Sequence, residues 1–307
     1  MTGVPQKSSV LITGGSGLIG KYLTSFLLAE GYSVSHLSRG SDQFGRVRVH
    51  RWDPAKKILD PVVLSSVDYI IHLAGANLGD GRWTANRKSE IISSRVDSAR
   101  LLYDTVIQND IKIKGFISAS GISCYGTRTT DHIFTEEDPV ADDFLGMVCR
   151  KWEEAADLFA LDGIRTVKIR TAVVLERNDS ALTKMMMPAR FGFLAVTGSG
   201  RQYMPWIHIK DICGIYLKAL EDESMKGAYN AVSPQHVTHK EFIQTLGAVT
   251  GKAVAPVHVP AITLKAAMGE MAGLVLEGSR VSPEKIINAG YEFKFSNLHD
   301  ALVDVFK

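Results

Sequence analysis

Gly14, Gly17 and Gly20 recur every third residue, directly after the apolar run Val10-Leu11-Ile12 and directly before the helix-spaced series Leu18, Ile19, Tyr22, Leu23, Phe26 and Leu27. The chemistry this spacing allows is capture of a phosphate. Each glycine lacks a side chain where one would obstruct a tight turn, the approach of a pyrophosphate, or helix–strand packing. Backbone N–H groups at the helix start, around Ser16, Leu18 and Ile19, can then hold an anion. Glycines also simply build turns, so the motif gains weight only from a strand–turn–helix setting. That setting is present here, and Gly31 supplies a stop for the helix.

Two more groups of residues extend the same chemistry. A second strand over 34–37 ends at Ser38-Arg39-Gly40. In a dinucleotide fold that strand end faces the adenosine ribose, where an acidic residue binds the free hydroxyls of NAD and an arginine accommodates a 2′-phosphate. Arg39, with Ser38 as a second donor, therefore points to NADP(H); the bland alternative is a solvated loop arginine. The buried strand over 69–76 then finishes in Leu73, Ala74 and Gly75, small enough at its end for a ribose and pyrophosphate to pass closely. His72, inside that run, reads as a hydrogen-bonded core histidine rather than a ligand.

The elements that must position these groups follow from periodicity. A long helix over 86–108 places Arg95 in register with Ile91, Ile92, Val96, Ala99, Leu102 and Val106. An arginine on the apolar side of a helix needs a buried anionic partner, a cofactor or a substrate. Glu90 lies five residues away, too far round to be an ideal helix partner. Further strands are expected over 47–50, 115–120, 165–170 and 227–232, and a helix over 145–160 shows Val148, Trp152, Ala155, Ala156 and Phe159 on one face. Residues 126–143 read as a loop, the pattern over 178–205 loosens into Met- and Gly-rich sequence with Met185-Met186-Met187 as adaptable packing, and two or three helices close the chain. Strands alternating with helices give an α/β, doubly wound parallel sheet. The expected division is a dinucleotide-binding domain, 1–177 plus 206–235, and a smaller, mainly helical substrate lobe, 178–205 plus 236–307.

Bulk properties narrow the partners. The 307 residues are 45% hydrophobic with a formal net charge of +2, so a large core is affordable and no polyanion-binding surface is indicated. No apolar stretch reaches the length of a membrane span. Cys124, Cys149 and Cys213 are scattered and odd in number, which argues against a disulfide framework or a zinc cluster and for a reducing, cytoplasmic setting. A small-molecule substrate is the expected partner, with neither nucleic acid nor membrane involved.

The glycine turn resembles that of the extended short-chain dehydrogenase/reductases, the superfamily of sugar-nucleotide epimerases and dehydratases. Leu73-Ala74-Gly75, Ser120 before Cys124-Tyr125-Gly126, and Ile207-His208-Ile209-Lys210-Asp211 fall where that superfamily has matching motifs. Arg82-Trp83-Thr84 through Ser94-Arg95-Val96, Val148-Cys149-Arg150-Lys151-Trp152-Glu153, Gly198-Ser199-Gly200-Arg201-Gln202 with Trp206-Ile207-His208, and Gly269-Glu270-Met271 through Gly278-Ser279-Arg280-Val281 look like its atypical epimerase-family branch, which carries a C-terminal domain of unknown function. The resemblance spans essentially the whole chain. It implies NADP(H) binding through Gly14, Ser16, Gly17, Leu18, Ile19, Gly20, Ser38, Arg39, Leu73, Ala74, Gly75, Glu90, Arg95 and Val174.

It also exposes a departure. Typical members carry a Tyr-x-x-x-Lys pair that performs the proton transfer. Aligning Glu153 with the helix glutamate of that motif puts Leu145 at the tyrosine and Cys149 at the lysine. Lys151 is no simple replacement, since two residues turn it by about 200° around the helix. Arg95 stands where an asparagine is usual, while the upstream serine survives as Ser120. The candidate chemistry is then Ser120 polarising a carbonyl and Cys149 acting as a neutral thiol donor, each of which could instead be purely structural. The implied activity is an NADP(H)-dependent oxidoreductase or epimerase on a small carbonyl or hydroxyl compound, with sugar-nucleotide-like compounds among the candidates; the alternative is an NADP(H)-binding sensor or scaffold without turnover.

Overall fold

The computed structural model describes residues 7–40, 47–178 and 181–307. Its centre is a seven-stranded sheet, built from β1 (Ser9–Thr13), β2 (Ser33–Ser38), β3 (Arg48–Arg51), β4 (Tyr69–His72), β5 (Gly115–Gly121), β7 (Thr166–Thr171) and β11 (Gly227–Ala231) in the order β11-β7-β5-β4-β1-β2-β3. Every pairing in it is parallel. A parallel sheet has to be covered on both faces. Helices α1 (Leu18–Ala29) and α5 (Ile209–Glu221) pack Leu23, Leu27, Ile212 and Tyr216 against Val10, Ile12 and Ile71 on one face. Helices α2 (Ala85–Gln108) and α3 (Phe144–Leu161) pack Leu102, Val106 and Phe159 against Leu11, Ile70 and Phe116 on the other. Alternate residues of one strand thus serve opposite cores. The strand order reverses between β1 and β4, the crevice where doubly wound sheets bind ligands.

Helix ends follow local chemistry. Thr84 and Asp143 accept hydrogen bonds from Arg87 N and Gly146 N at the starts of α2 and α3. By contrast, α1 starts at Gly17 with neither a side-chain cap nor an acidic residue in its first turn, so its leading amides are left open.

Outside the sheet the sequence expectations need correction. The segment 126–143, expected to be loop throughout, contains a short strand, β6 (Ile133–Phe134), which pairs with β13 (Arg280–Val281). Residues 178–205 include α4 (Ala181–Met185) and β9 (Phe193–Leu194), the latter paired with β12 (Ala253–Val254). Strand β8 (Val173–Leu175) pairs with β10 (Trp206–His208). The end of the chain holds α6 (His239–Thr250), α7 (Ala261–Met268), α8 (Gly273–Leu276), α9 (Glu284–Asn288) and α10 (Leu298–Phe306), more and shorter helices than two or three. Phe242, Leu246, Leu298 and Leu302 from α6 and α10 join Leu175 and Trp206 in a second core. The two-residue strands are too short to register as an alternating pattern.

Candidate active site

The turn between β1 and α1 is built as a glycine cradle. Gly14 has φ +71°, and a Cβ on it would stand 2.9 Å from the Leu73 carbonyl carbon. A Cβ on Gly20 would run into the Gly14 carbonyl oxygen and stand 2.7 Å from the Gly15 Cα. Gly17 N closes the turn on Gly14 O at 3.0 Å. The cradle is also tied sideways: Thr13 Oγ1 accepts from Leu73 N at 3.2 Å and Ala74 N at 3.1 Å, and meets His72 Nδ1 at 2.8 Å. His72 is fully buried, and burial pushes its pKa down to about 4. It is therefore a neutral core histidine whose work is to orient Thr13. Ser16, Gly17 and Gly75 remain exposed around this frame, with Leu18 and Ile19 half-buried.

Ser38 ends β2 and Arg39 follows it, next to β1 in the sheet, where Leu37 is in register with Thr13. Ser38 Oγ accepts from Gly40 N at 3.2 Å, and Arg39 is exposed. Val174 is half-buried on β8, beyond the end of β7. Glu90 pairs with Arg87 at 2.6 Å on the exposed side of α2 and makes no pair with Arg95.

Arg95 itself is 7% exposed. Its Nη1 donates to Ile91 O at 2.9 Å, its Cζ lies 4.9 Å from the centre of the Trp152 ring, and its Nε is buried with no hydrogen-bond partner. No described carboxylate pairs with it. A Cβ on Gly75 would stand 2.9 Å from its Cζ, so the exposed glycine roofs the guanidinium directly. Burial lowers its pKa to about 10, which leaves the cation intact at neutral pH.

On the neighbouring strand, Ser120 is buried and donates from Oγ to Glu153 Oε1 at 2.7 Å. Glu153 is held in turn by Arg170, whose Nε and Nη2 donate to Oε1 and Oε2 at 2.8 and 2.9 Å. Arg170 Nη1 continues to Tyr125 Oη at 3.0 Å, which donates to Asn230 Oδ1 at 2.7 Å. Burial acts to raise the Glu153 carboxyl, but the Arg170 guanidinium and Ser120 hydroxyl outweigh it and hold it below the usual range. The Ser120 hydroxyl proton is thus engaged by a carboxylate. Ser120→Ala is expected to cost about 1.5–3 kcal/mol of stability, the worth of a hydrogen bond to a charged group. Urea unfolding of the variant checks this; an unchanged midpoint would mean that Glu153 has found another donor.

Cys149 sits one turn before Glu153 on α3, 3.5 Å from Gly121 O and 3.5 Å from Ser123 Oγ. Burial raises its thiol pKa, so it is a neutral thiol. Leu145, at the position expected for a tyrosine, is 1% exposed. Ser123, in a 3-10 turn over Ile122–Tyr125, was not singled out by sequence. It is half-buried beside Cys149, and its only signal was a hydroxyl three residues after Ser120.

Comparison with known proteins agrees with this architecture. Residues 10–144 match the NAD dependent epimerase/dehydratase family, and residues 259–305 match a domain of unknown function, DUF1731. The human epimerase family protein SDR39U1 is 36% identical over 300 residues, covering 96% of this chain and 99% of that protein. The epimerase family protein YfhF of Bacillus subtilis is 33% identical over 299 residues, covering 96% of each. The crystal structure of human SDR39U1 (isoform 2) with NADPH superposes with a TM-score of 0.87 at 33% identity, over 97% of this chain and 98% of that one. A nucleoside-diphosphate sugar epimerase from Corynebacterium glutamicum superposes at 0.76 with 29% identity, over 97% of this chain and 57% of that one. A glycine cradle at the sheet's switch point, followed by a matching C-terminal domain at this level of identity, makes the chain a member of the epimerase family to which SDR39U1 belongs.

Proposed function

We propose that the chain binds NADP(H) across the Gly14–Gly20 turn and exchanges hydride with a small carbonyl or hydroxyl substrate, as an oxidoreductase or epimerase. The observation that carries this reading is the cradle, where Gly14 and Gly20 leave no room for a Cβ and the α1 amides stand uncapped. The NADPH held by the human relative supports it. The turn residues Gly14, Ser16, Gly17, Leu18, Ile19 and Gly20 would cradle the pyrophosphate. Ser38 and Arg39 would take the 2′-phosphate, Leu73, Ala74 and Gly75 would pass the ribose, and Val174 would face the nicotinamide end. When bound, the cofactor supplies the hydride.

The chain's own part is to polarise the substrate and manage a proton. With Ser120 committed to Glu153, we assign polarisation to Ser123 and the neutral Cys149 thiol, and Ser120 supports them by fixing Glu153 beneath. Position 145 has no proton to give. A tuned general acid contributes about a hundred- to ten-thousand-fold, so turnover is slow rather than absent. The segments 178–205 and 236–307 would form the substrate lobe over this end of the crevice. The second reading, an NADP(H) binder without turnover, is favoured by the burial of Leu145 and the closed hydrogen bonding of Ser120.

Calorimetric titration tests the cofactor. NADPH should bind more tightly than NADH, and Arg39→Ala should weaken NADPH about ten- to one-hundred-fold, the range of one charge-assisted hydrogen bond, with little change for NADH. Equal losses for both cofactors would remove Arg39 from the phosphate. Oxidation of bound NADPH by any member of a carbonyl panel then separates enzyme from sensor.

A further inference from the structure

Arg95 is a buried cation without a buried anion. Taking a guanidinium out of water without a counter-charge is costly, and here the aromatic face of Trp152 and one backbone carbonyl are its whole compensation among the described residues. Its Nε has no partner. The group is separated from the crevice surface by Gly75, which has no side chain. An anion arriving beside Gly75 would meet a guanidinium already desolvated and lying over an indole, a fork suited to a bidentate carboxylate.

Resting on the NADP(H) reading, the anion's source can be narrowed. That reading gives the cofactor's pyrophosphate to the α1 amides and its 2′-phosphate to Ser38 and Arg39, on the β1–β2 side of the sheet. Arg95 lies on the other side of β1. It comes from α2, which follows β4, and it packs against Trp152 on α3, which follows β5. Cys149, the thiol assigned to substrate, is three residues before Trp152 on α3 and so shares a face of that helix with it. The cofactor's phosphates are accounted for, and the ribose assigned to Leu73–Gly75 carries no charge, so the guanidinium beneath Gly75 is left for an anion other than the cofactor's.

We infer that Arg95 is the receptor for a carboxylate on the substrate, so that the natural substrate is an anionic carbonyl or hydroxy acid rather than a neutral compound. The binding step breaks no bond and moves no proton; the carboxylate enters ionised and supplies the missing counter-charge.

The test is Trp152 fluorescence together with thermal unfolding, on the protein with and without NADPH. The ligands are pyruvate, the unreactive analogue oxamate, and succinate, against the neutral hydroxyacetone and succinamide. Trp152→Phe identifies the responding tryptophan. At least one carboxylate should perturb Trp152 and raise the melting temperature while its neutral counterpart does neither. Arg95→Met, which removes the charge at similar volume and should fold, ought to weaken that carboxylate about ten- to one-hundred-fold, by a larger factor than it weakens NADPH. Arg95→Lys, with the charge but not the fork, should fall between. The inference is overturned if no carboxylate is distinguished from its neutral partner, or if Arg95→Met weakens NADPH instead, which would give the guanidinium to the cofactor. Failure of the wild type to bind NADPH would sink the cofactor reading separately, since the carboxylate arm without cofactor still reports on Arg95.

Discussion

Arg170→Met should destabilise the protein by about 3–5 kcal/mol, the cost of leaving a buried carboxylate without its partner. Glu153 and Arg170 have side chains 9% and 6% exposed and are joined by two hydrogen bonds. Without the guanidinium, Glu153 keeps only the Ser120 hydroxyl, and Tyr125 loses a donor. The carboxylate then either stays charged at high cost or takes up a proton. In the wild type its pKa is held below the usual range, so its contribution is present above the unfolded value of about 4.3 and disappears as pH falls through the lower folded value. In Arg170→Met that sign should reverse, and the variant should gain relative to wild type as the solution is acidified. Glu153→Met alone should be similarly damaging because it strands the guanidinium. The double variant should recover much of the loss, since a well-packed apolar pair often replaces a buried ion pair at little cost. Urea unfolding of all four proteins gives the coupling energy directly. Single variants within about 1 kcal/mol of wild type would mean that water already reaches the pair.

How much of this was legible in sequence depended on distance along the chain. The cradle was legible because strand, turn and helix are contiguous and each glycine answers a local backbone demand, as the positive φ of Gly14 shows. Arg95 was placed on the buried side of α2 by register alone, and it is buried with Ile91, Val96 and Ala99. The Trp152 ring that faces it comes from another helix and left no trace in spacing. His72 read as a core histidine because it interrupts an apolar strand, yet its partner Thr13 lies 59 residues away. The same limit hid the partner of Ser120. Its hydroxyl is directed by Glu153 on α3, which is directed by Arg170 on β7, and neither can be paired with it by periodicity. The C-terminal region was legible least. Beside its own apolar core, it is tied down by single groups reaching across the fold, such as the Asp211 carboxylate accepting from Lys294 N at 2.7 Å and Phe295 N at 3.0 Å.

Acid should unfold this protein earlier than its carboxylates alone would require. His72, His208 and His239 are 0%, 1% and 4% exposed, and burial pushes each pKa down to about 4. For His208 the nearby Asp304 carboxylate, 3.3 Å away, opposes that effect without overcoming it. The folded state therefore holds three neutral imidazoles where the unfolded chain binds protons from about pH 6.5 downward. With the unfolded state binding more protons, stability falls as pH falls, beginning near pH 6.5 and levelling only below about pH 4. Each histidine contributes about 2 kcal/mol of loss at pH 5 by this linkage, so the three together reach about 6 kcal/mol, comparable with the whole stability of an ordinary domain. Asp211 and Glu136 act in the opposite sense: burial raises both, so each takes up its proton earlier in the folded state than in the unfolded one. They blunt the lower part of the window, whereas the interval from pH 6.5 to 5 belongs mainly to the histidines. Urea unfolding at pH 7, 6 and 5 should show a steep, progressive loss. His239→Gln should flatten that slope by about a third, because His239 Nδ1 has no partner to lose and its Nε2 meets only Thr197 Oγ1 at 3.3 Å. A stability that stays level from pH 7 to 5 would mean that the buried imidazoles are protonated in place, and the neutral Thr13–His72 support beneath the cradle would have to be abandoned with it.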